Sequence, residues 1–214
     1  MKVLVACEES QAVTMAFRAK GHEAFSCDLQ PCSGGHPEWH YEGSVFDIIN
    51  DGWDLMIGHP PCTYLTLTGN RWFSIEAYGD KAIDRYIDRF EASSFFLKLY
   101  RAPIDKICLE NPIGSLNTVL KPTQIIQPYY FGDEAQKTTC LWLRGLPPLI
   151  HQKEATLFDD KVTHVGKGEM VEFASGTVMP KWYADAWHLP KDERSKLRSK
   201  TFPGIANAMA DQWG

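Results

Sequence analysis

The 214-residue sequence has no uninterrupted apolar run near the ~20 residues a helix needs to cross a bilayer, so a membrane partner is not expected. None of its six cysteines forms a Cys-x-x-Cys pair, which leaves no paired half of a structural zinc site. Excess positive charge is missing too. Lysine and arginine number 22 against 27 acidic residues, a net charge of −5. Binding to nucleic acid through bulk charge is therefore excluded, and any such contact must come from a local patch. The opening stretch Met1 to Ala6 meets Glu8 and Glu9 too soon for a secretory leader, so a cytoplasmic protein is expected. Internal repeats and low-complexity stretches are also absent. With 44% hydrophobic and 23% charged residues, the composition is that of a folded globule.

The patterned segments come first in the chain. Val3 to Cys7 is a short apolar run, read as a buried strand. Ala12, Val13, Ala16, Phe17 and Ala19 recur at helical spacing up to Gly21, a good helix stop. Glu23 to Asp28 reads as a second strand, so the chain opens with a βαβ unit and a parallel sheet. Gln30 to Gly43 is rich in Pro, Gly and His and predicts a loop. Trp53 to Gly58 and Lys106 to Glu110 predict strands, the second stopped by Asn111-Pro112; Gln124 to Tyr130 and Thr139 to Leu143 predict two more. Asp80 to Leu99 carries the clearest helical pattern, and Ile205 to Trp213 predicts a closing helix. The expectation is a doubly wound α/β domain with a mostly parallel sheet over 1–145, a small irregular segment over 146–200, and the closing helix in 201–214.

Chemistry concentrates after two strands. Gly58-His59-Pro60-Pro61-Cys62 uses rigid prolines to set a thiol just past a strand end, and ligand sites in open α/β sheets lie at the carboxyl ends of strands. Cys62 is either a nucleophile, given something that lowers its pKa, or a structural thiol in a loop. Glu110 stands at the end of the next strand, where a carboxyl group suits protonation of a ring under attack. His59 is a base or a hydrogen-bonding neighbour of that pair. The polar, aromatic stretch from Thr63 to Ile75, with Arg71 and Trp72, predicts a mobile loop. Cys32, His36 and His40 are spaced for a metal, but no metal site is expected, because Cys27 falls inside a strand. Late in the chain, Lys191 to Lys200 holds five basic against two acidic residues. Trp182, Tyr183 and Trp187 are stackers or packing residues.

These motifs resemble the DNA cytosine-5 methyltransferase family. Gly58 to Cys62 resembles its nucleophile motif, and Glu110-Asn111-Pro112 its Glu-Asn-Val element. Phe131-Gly132 through Gln136 to Leu141 resembles its Gln-x-Arg-x-Arg strand, and Arg198 to Trp213 its closing helix. The resemblance implies a Rossmann-like class I methyltransferase fold and an S-adenosyl-L-methionine cofactor. It further implies Cys62 and Glu110 as catalytic residues and Pro61, Asn111 and Lys137 around the base. Cys7, Asp28, Ser44 and Pro60 would lie around the cofactor, and Thr63, Arg71 and Trp72 in the loop that closes over a flipped base.

The sequence departs from that family at four places. The loop after the first strand, Ala6 to Ala12, has no glycine; Ser44 stands where the family has an acid; Lys137 is the only cation where the family has two arginines; and only about 50 residues, 151–200, replace a separate target-recognition domain. The protein is thus identified as a short form of the phage or prophage type. Its expected substrate is cytosine in DNA, with a single strand, a free cytosine nucleotide, or binding without turnover as alternatives.

Overall fold

The computed structural model describes residues 1–155 and 162–214. Its sheet strands are β1 (Lys2–Ala6), β2 (Glu23–Asp28), β3 (His40–Glu42), β4 (Leu55–Gly58), β5 (Lys106–Pro112), β6 (Gln124–Ile126) and β7 (Thr139–Arg144). They form one sheet in the order β3-β2-β1-β4-β5-β7-β6. The first five positions run parallel, while β7 lies antiparallel to both β5 and β6. The architecture is α/β with a mostly parallel, mixed seven-stranded sheet, compatible with a Rossmann-like fold.

Parallel central strands are buried on both faces, which is why their sequences are continuous apolar runs without alternation. Val3 and Val5 of β1 point to one face, where they pack with helices α1 (Ala12–Ala19) and the C-terminal Pro203–Trp213. Leu4 and Ala6 point to the other, against Phe96 and Leu99 of the long helix Asp80–Tyr100. In chain order the helices are α1, α2 (Val45–Ile48), α3 (Ile75–Tyr78), α4 (Asp80–Tyr100), α5 (Leu116–Val119), α6 (Lys181–Asp185), α7 (Lys191–Ser199) and α8 (Pro203–Trp213). No helix among the described residues is long and apolar enough to cross a membrane.

Helix α1 stops as its sequence predicts. Gly21 has φ +82°, its N–H donates to the Arg18 carbonyl and that of His22 to Phe17, closing both open carbonyls of the last turn. The chain's end returns to this helix. Ile205, Met209 and Trp213 of α8 are buried in the cluster that holds Val13 and Phe17, Lys20 pairs with Asp211, and the Trp213 indole donates to the Pro147 carbonyl.

Five segments differ from their sequence reading. The Gln30–Gly43 loop contains β3, an edge strand with no apolar pattern because its residues are mostly exposed. Strand β5 runs on through Asn111 to Pro112, because β7 supplies partners as far as Thr139. The strand predicted over Gln124 to Tyr130 ends at Ile126 and continues as a single 3-10 turn, Pro128–Tyr130. The stretch after Thr63 is a 3-10 turn over Leu67–Phe73 tied to α4: the Arg89 guanidinium donates to the Tyr64 carbonyl and to Asn70, and lies 3.5 Å from the Phe73 ring centre. The segment over 146–200 is also less irregular than predicted. Strands β8 (Met170–Glu172) and β9 (Val178–Pro180) pair as a hairpin, followed by α6 and α7. Its short elements are mostly exposed and carry little apolar periodicity.

Trp213→Ala should cost about 3–5 kcal/mol in urea unfolding, because it empties a closed site between α1 and α8 and orphans the Pro147 carbonyl. A loss below 1 kcal/mol would mean that α8 does not stabilise the sheet.

Candidate active site

β1 is bordered by β2 on one side and β4 on the other, so the chain order reverses between β1 and β4. In such sheets the crevice at that reversal, beyond the carboxyl ends, is where ligands sit. The His59 N–H closes the crevice floor by donating to the Ala6 carbonyl at 2.9 Å. Pro60 and Pro61 have no N–H to extend the ladder, so the chain leaves the sheet and Cys62 is carried out beyond it. A turn follows at once, with the Leu65 and Thr66 N–H groups donating to the Cys62 carbonyl. The strand after it is held close: Ser115 N–H donates to the Leu65 carbonyl, and a Cβ on Gly114 would overlap that carbonyl.

Register brings the next two groups together. Gly58 pairs with Leu109, so His59 and Glu110 face each other one step further, with Nδ1 to Oε2 at 2.9 Å. Both side chains are about nine-tenths buried. The Thr201 hydroxyl, from the junction of α7 and α8, donates to the same oxygen at 3.4 Å. Burial alone would raise the Glu110 pKa. The positive charge of Lys137 and the hydrogen bond and charge of His59 outweigh it and hold the carboxyl down at about 2. Burial would lower the pKa of His59, but its bond to Glu110 and the nearby charge of Glu8 turn the net shift upward. The imidazole Nε2 is buried with no hydrogen-bond partner among the described residues.

Cys62 is half-buried, and that burial raises its thiol pKa; Lys137 and Arg198 pull it down and Glu110 pushes it up. Lys137 thus bears on all three groups. Its ammonium is positioned by the Ser199 and Lys200 carbonyls, at 3.3 and 3.2 Å. Asn111 lies 2% exposed beneath the loop, and its amide donates to the Pro60 carbonyl at 2.8 Å, bracing Pro60-Pro61-Cys62. Pro61 is exposed beside Cys62, and Pro60 is buried. Thr63, Arg71 and Trp72 line a cleft of about 610 Å³ next to the thiol.

The other expected residues stand at neighbouring strand ends. Cys7 follows β1 at φ +60°, its thiol pushed up to about 12 by burial and then by the charge of Asp28. Asp28 ends β2, one oxygen accepting the Gln30 N–H. Ser44 caps α2 by accepting the Phe46 N–H. Cys32, His36 and His40 do not form a ligand set: His40 bridges Ser26 and the Gln30 carbonyl, His36 bonds Glu38, and no metal-binding cluster occurs among the described residues.

Glu8 has no counterpart in the sequence reading. Its carboxylate is 4% exposed and accepts the Val13 and Thr14 N–H groups and the Thr14 hydroxyl. It thereby occupies the positive end of α1, where a dinucleotide-binding sheet would receive a pyrophosphate. Thr201 has no counterpart either, and Arg198 enters the sequence reading only within the charged run and the closing segment, because nothing local marks a residue that reaches a site from 91 positions away, as Thr201 does. No protein-family model matches the chain, and no curated protein matches it at a significant level.

The paired shifts predict a pH profile for stability. Glu110's depressed value makes a contribution that is present above its unfolded pKa of 4.5 and lost as pH falls through that value toward about 2, a difference of about 3 kcal/mol. His59's raised value makes a contribution that is present below 6.5 and lost as pH rises through the folded pKa. Urea unfolding from pH 2 to 9 should show both losses; Glu110→Gln should remove the acid one and most of the alkaline one, because Glu110 is what chiefly raises His59, whereas His59→Gln should remove the alkaline one and only reduce the acid one, Lys137 still holding Glu110 down. A wild-type profile that stays flat would show that the pair does not couple to folding.

Proposed function

We propose that the protein is an S-adenosyl-L-methionine-dependent methyltransferase acting on carbon 5 of cytosine in DNA. One observation carries the reading: Cys62, just past β4, and Glu110, near the carboxyl end of β5, stand on adjacent parallel strands, and one cation, Lys137, stabilises the anionic form of both. A thiolate that adds to a ring and a carboxyl group that protonates the same ring need this proximity and this shared field.

The Cys62 thiol gives up its proton to water, and the Sγ thiolate forms a bond to carbon 6 of the cytosine as the ring nitrogen beside the exocyclic amine takes a proton delivered through the Glu110 carboxyl. That carboxyl is held ionised at neutral pH, and His59, whose pKa is raised by its bond to Glu110, passes it the proton from Nδ1 through the 2.9 Å hydrogen bond. Carbon 5 thereby gains electron density. S-adenosyl-L-methionine, when bound, supplies the electrophilic methyl group that carbon 5 takes up. Loss of the carbon 5 proton to a base then expels Cys62, and the ring nitrogen returns its proton to the Glu110–His59 pair. Lys137 and Arg198 stabilise the thiolate before attack and after expulsion.

The residues at the strand ends fit such a cofactor. The anion site at the α1 N-terminus is already filled by Glu8, which disfavours a phosphate-bearing cofactor and favours one with a cationic centre. Asp28 retains a second carboxylate oxygen at the end of β2 for a ribose diol. Cys7, Ser44 and Pro60 would complete the wall.

Mass spectrometry of nucleosides after incubation with S-adenosyl-L-methionine and unmethylated DNA, single-stranded and duplex, tests the reading. Methylcytosine is expected from the wild type and none above background from Cys62→Ala; no product on either DNA overturns the proposal. Lys137→Met should slow turnover on the order of a hundredfold. It should also move the rising limb of the pH–rate profile to higher pH, because the cation that lowers the thiol is gone. In the same profile His59→Gln should abolish the falling alkaline limb, which reports loss of the imidazole proton. An unaltered profile would remove His59 from the proton path.

A further inference from the structure

Between the turn after Cys62 and the α6–α7 segment lies the cleft of about 610 Å³ that Arg71, Arg85 and Arg198 line together with Trp72, Tyr183 and Trp187. Among the described residues no carboxylate lines it. Each arginine rests on a ring: Arg198 lies 3.9 Å from the Tyr183 ring centre, Arg71 4.7 Å from Trp72, and Arg85 5.1 Å from Tyr64. None of the three is in an ion pair among the described residues, and Arg85 Nε is buried without a hydrogen-bond partner. Trp187 is 56% exposed and Trp72 40%, large apolar surface left open beside three arginines that make no ion pair among the described residues. The chain as a whole carries −5.

From this arrangement we infer that the cleft seats an unpaired nucleic-acid strand and passes its bases to Cys62. The inference rests on the function proposed above and narrows its substrate. Guanidinium groups meet phosphates, and open indole faces stack on bases whose own faces are free, as they are in a single strand and not in a duplex. The volume lies among those of pockets that enclose small ligands, about 300–1,000 Å³, which suits a nucleotide or two and not a double helix. A surface with this net charge gives the many phosphates of a duplex little to bind, whereas three arginines suffice for a short single strand. The cleft also opens on the chemistry: Thr63 adjoins Cys62, and the charge of Arg198 acts on the thiol.

The test is fluorescence anisotropy of a labelled 12-nucleotide, cytosine-containing DNA strand, and of the same sequence closed into a hairpin duplex, with the wild-type protein between 50 and 200 mM salt. The strand should bind at least tenfold more tightly than the hairpin. Its log K against log salt should have a slope of about −2, the value for three phosphate contacts on a single strand. Trp187→Ala should weaken binding about tenfold or more, and Trp187→Phe should restore most of it. Equal or tighter hairpin binding, no strand binding, or an inert Trp187→Ala overturns the inference. Because binding needs no turnover, strand binding without methyl transfer would overturn the proposed function instead. Methyl transfer to duplex DNA without strand binding would leave that function standing and remove the single-strand site.

Discussion

Glu110 holds an ionised carboxylate at the end of β5 with about a tenth of its side chain exposed, and a charge so placed persists only if it is paired and hydrogen-bonded. Its partners come from three distant parts of the chain. His59 arrives from β4 by register, Lys137 from the approach to β7, and Thr201 from the turn between α7 and α8. The same demand organises the last 20 residues. Lys137 can serve Glu110 because the Ser199 and Lys200 carbonyls hold its ammonium, which draws the α7–α8 junction over the strand ends. Helix α8 then seals against α1.

Burial acts on the two central groups alike, yet they end in different states. It raises both pKa values, but Glu110 gains enough opposing charge and hydrogen bonding to remain an anion, whereas Cys62 stays a thiol. At rest the Cys62 thiol is neutral although two cations, Lys137 and Arg198, favour its anion. The imidazole of His59 faces the Glu110 carboxylate and feels the charge of Glu8, and both raise its pKa against the effect of burial.

Glu8 gives a physical account of the missing glycines in the first loop. A glycine-rich turn lets a ligand's anion approach the helix N-terminus. Here a buried carboxylate does that capping from within, and the loop reaches its shape through two residues in the left-handed region, Cys7 and Gln11. The crevice therefore presents carboxylates and thiols where a dinucleotide fold presents bare N–H groups. Helix α7 divides it: Lys196, Leu197 and Lys200 line a cleft with Glu9 and Ser33, while Arg198 faces the aromatic one.

Local pattern determined much by itself. Buried parallel strands are runs of apolar residues, α1 ends at a glycine in the left-handed region, and two prolines must expel Cys62 from the ladder; each of these depends on near neighbours alone, so Cys62 and Glu110 could be named as strand-end groups from the sequence. What only the tertiary structure decided are relations between segments. The edge strand β3 carries no pattern because it has no buried face, and β5 extends through Asn111 and Pro112 only because β7 meets it. The bond by which the Asn111 amide braces Pro60 joins two strands, and the run of charge in 191–200 splits between two clefts because a helix points its side chains in different directions. The protonation states of Cys62, His59 and Glu110 depend on distance and burial in three dimensions, which no spacing along the chain encodes.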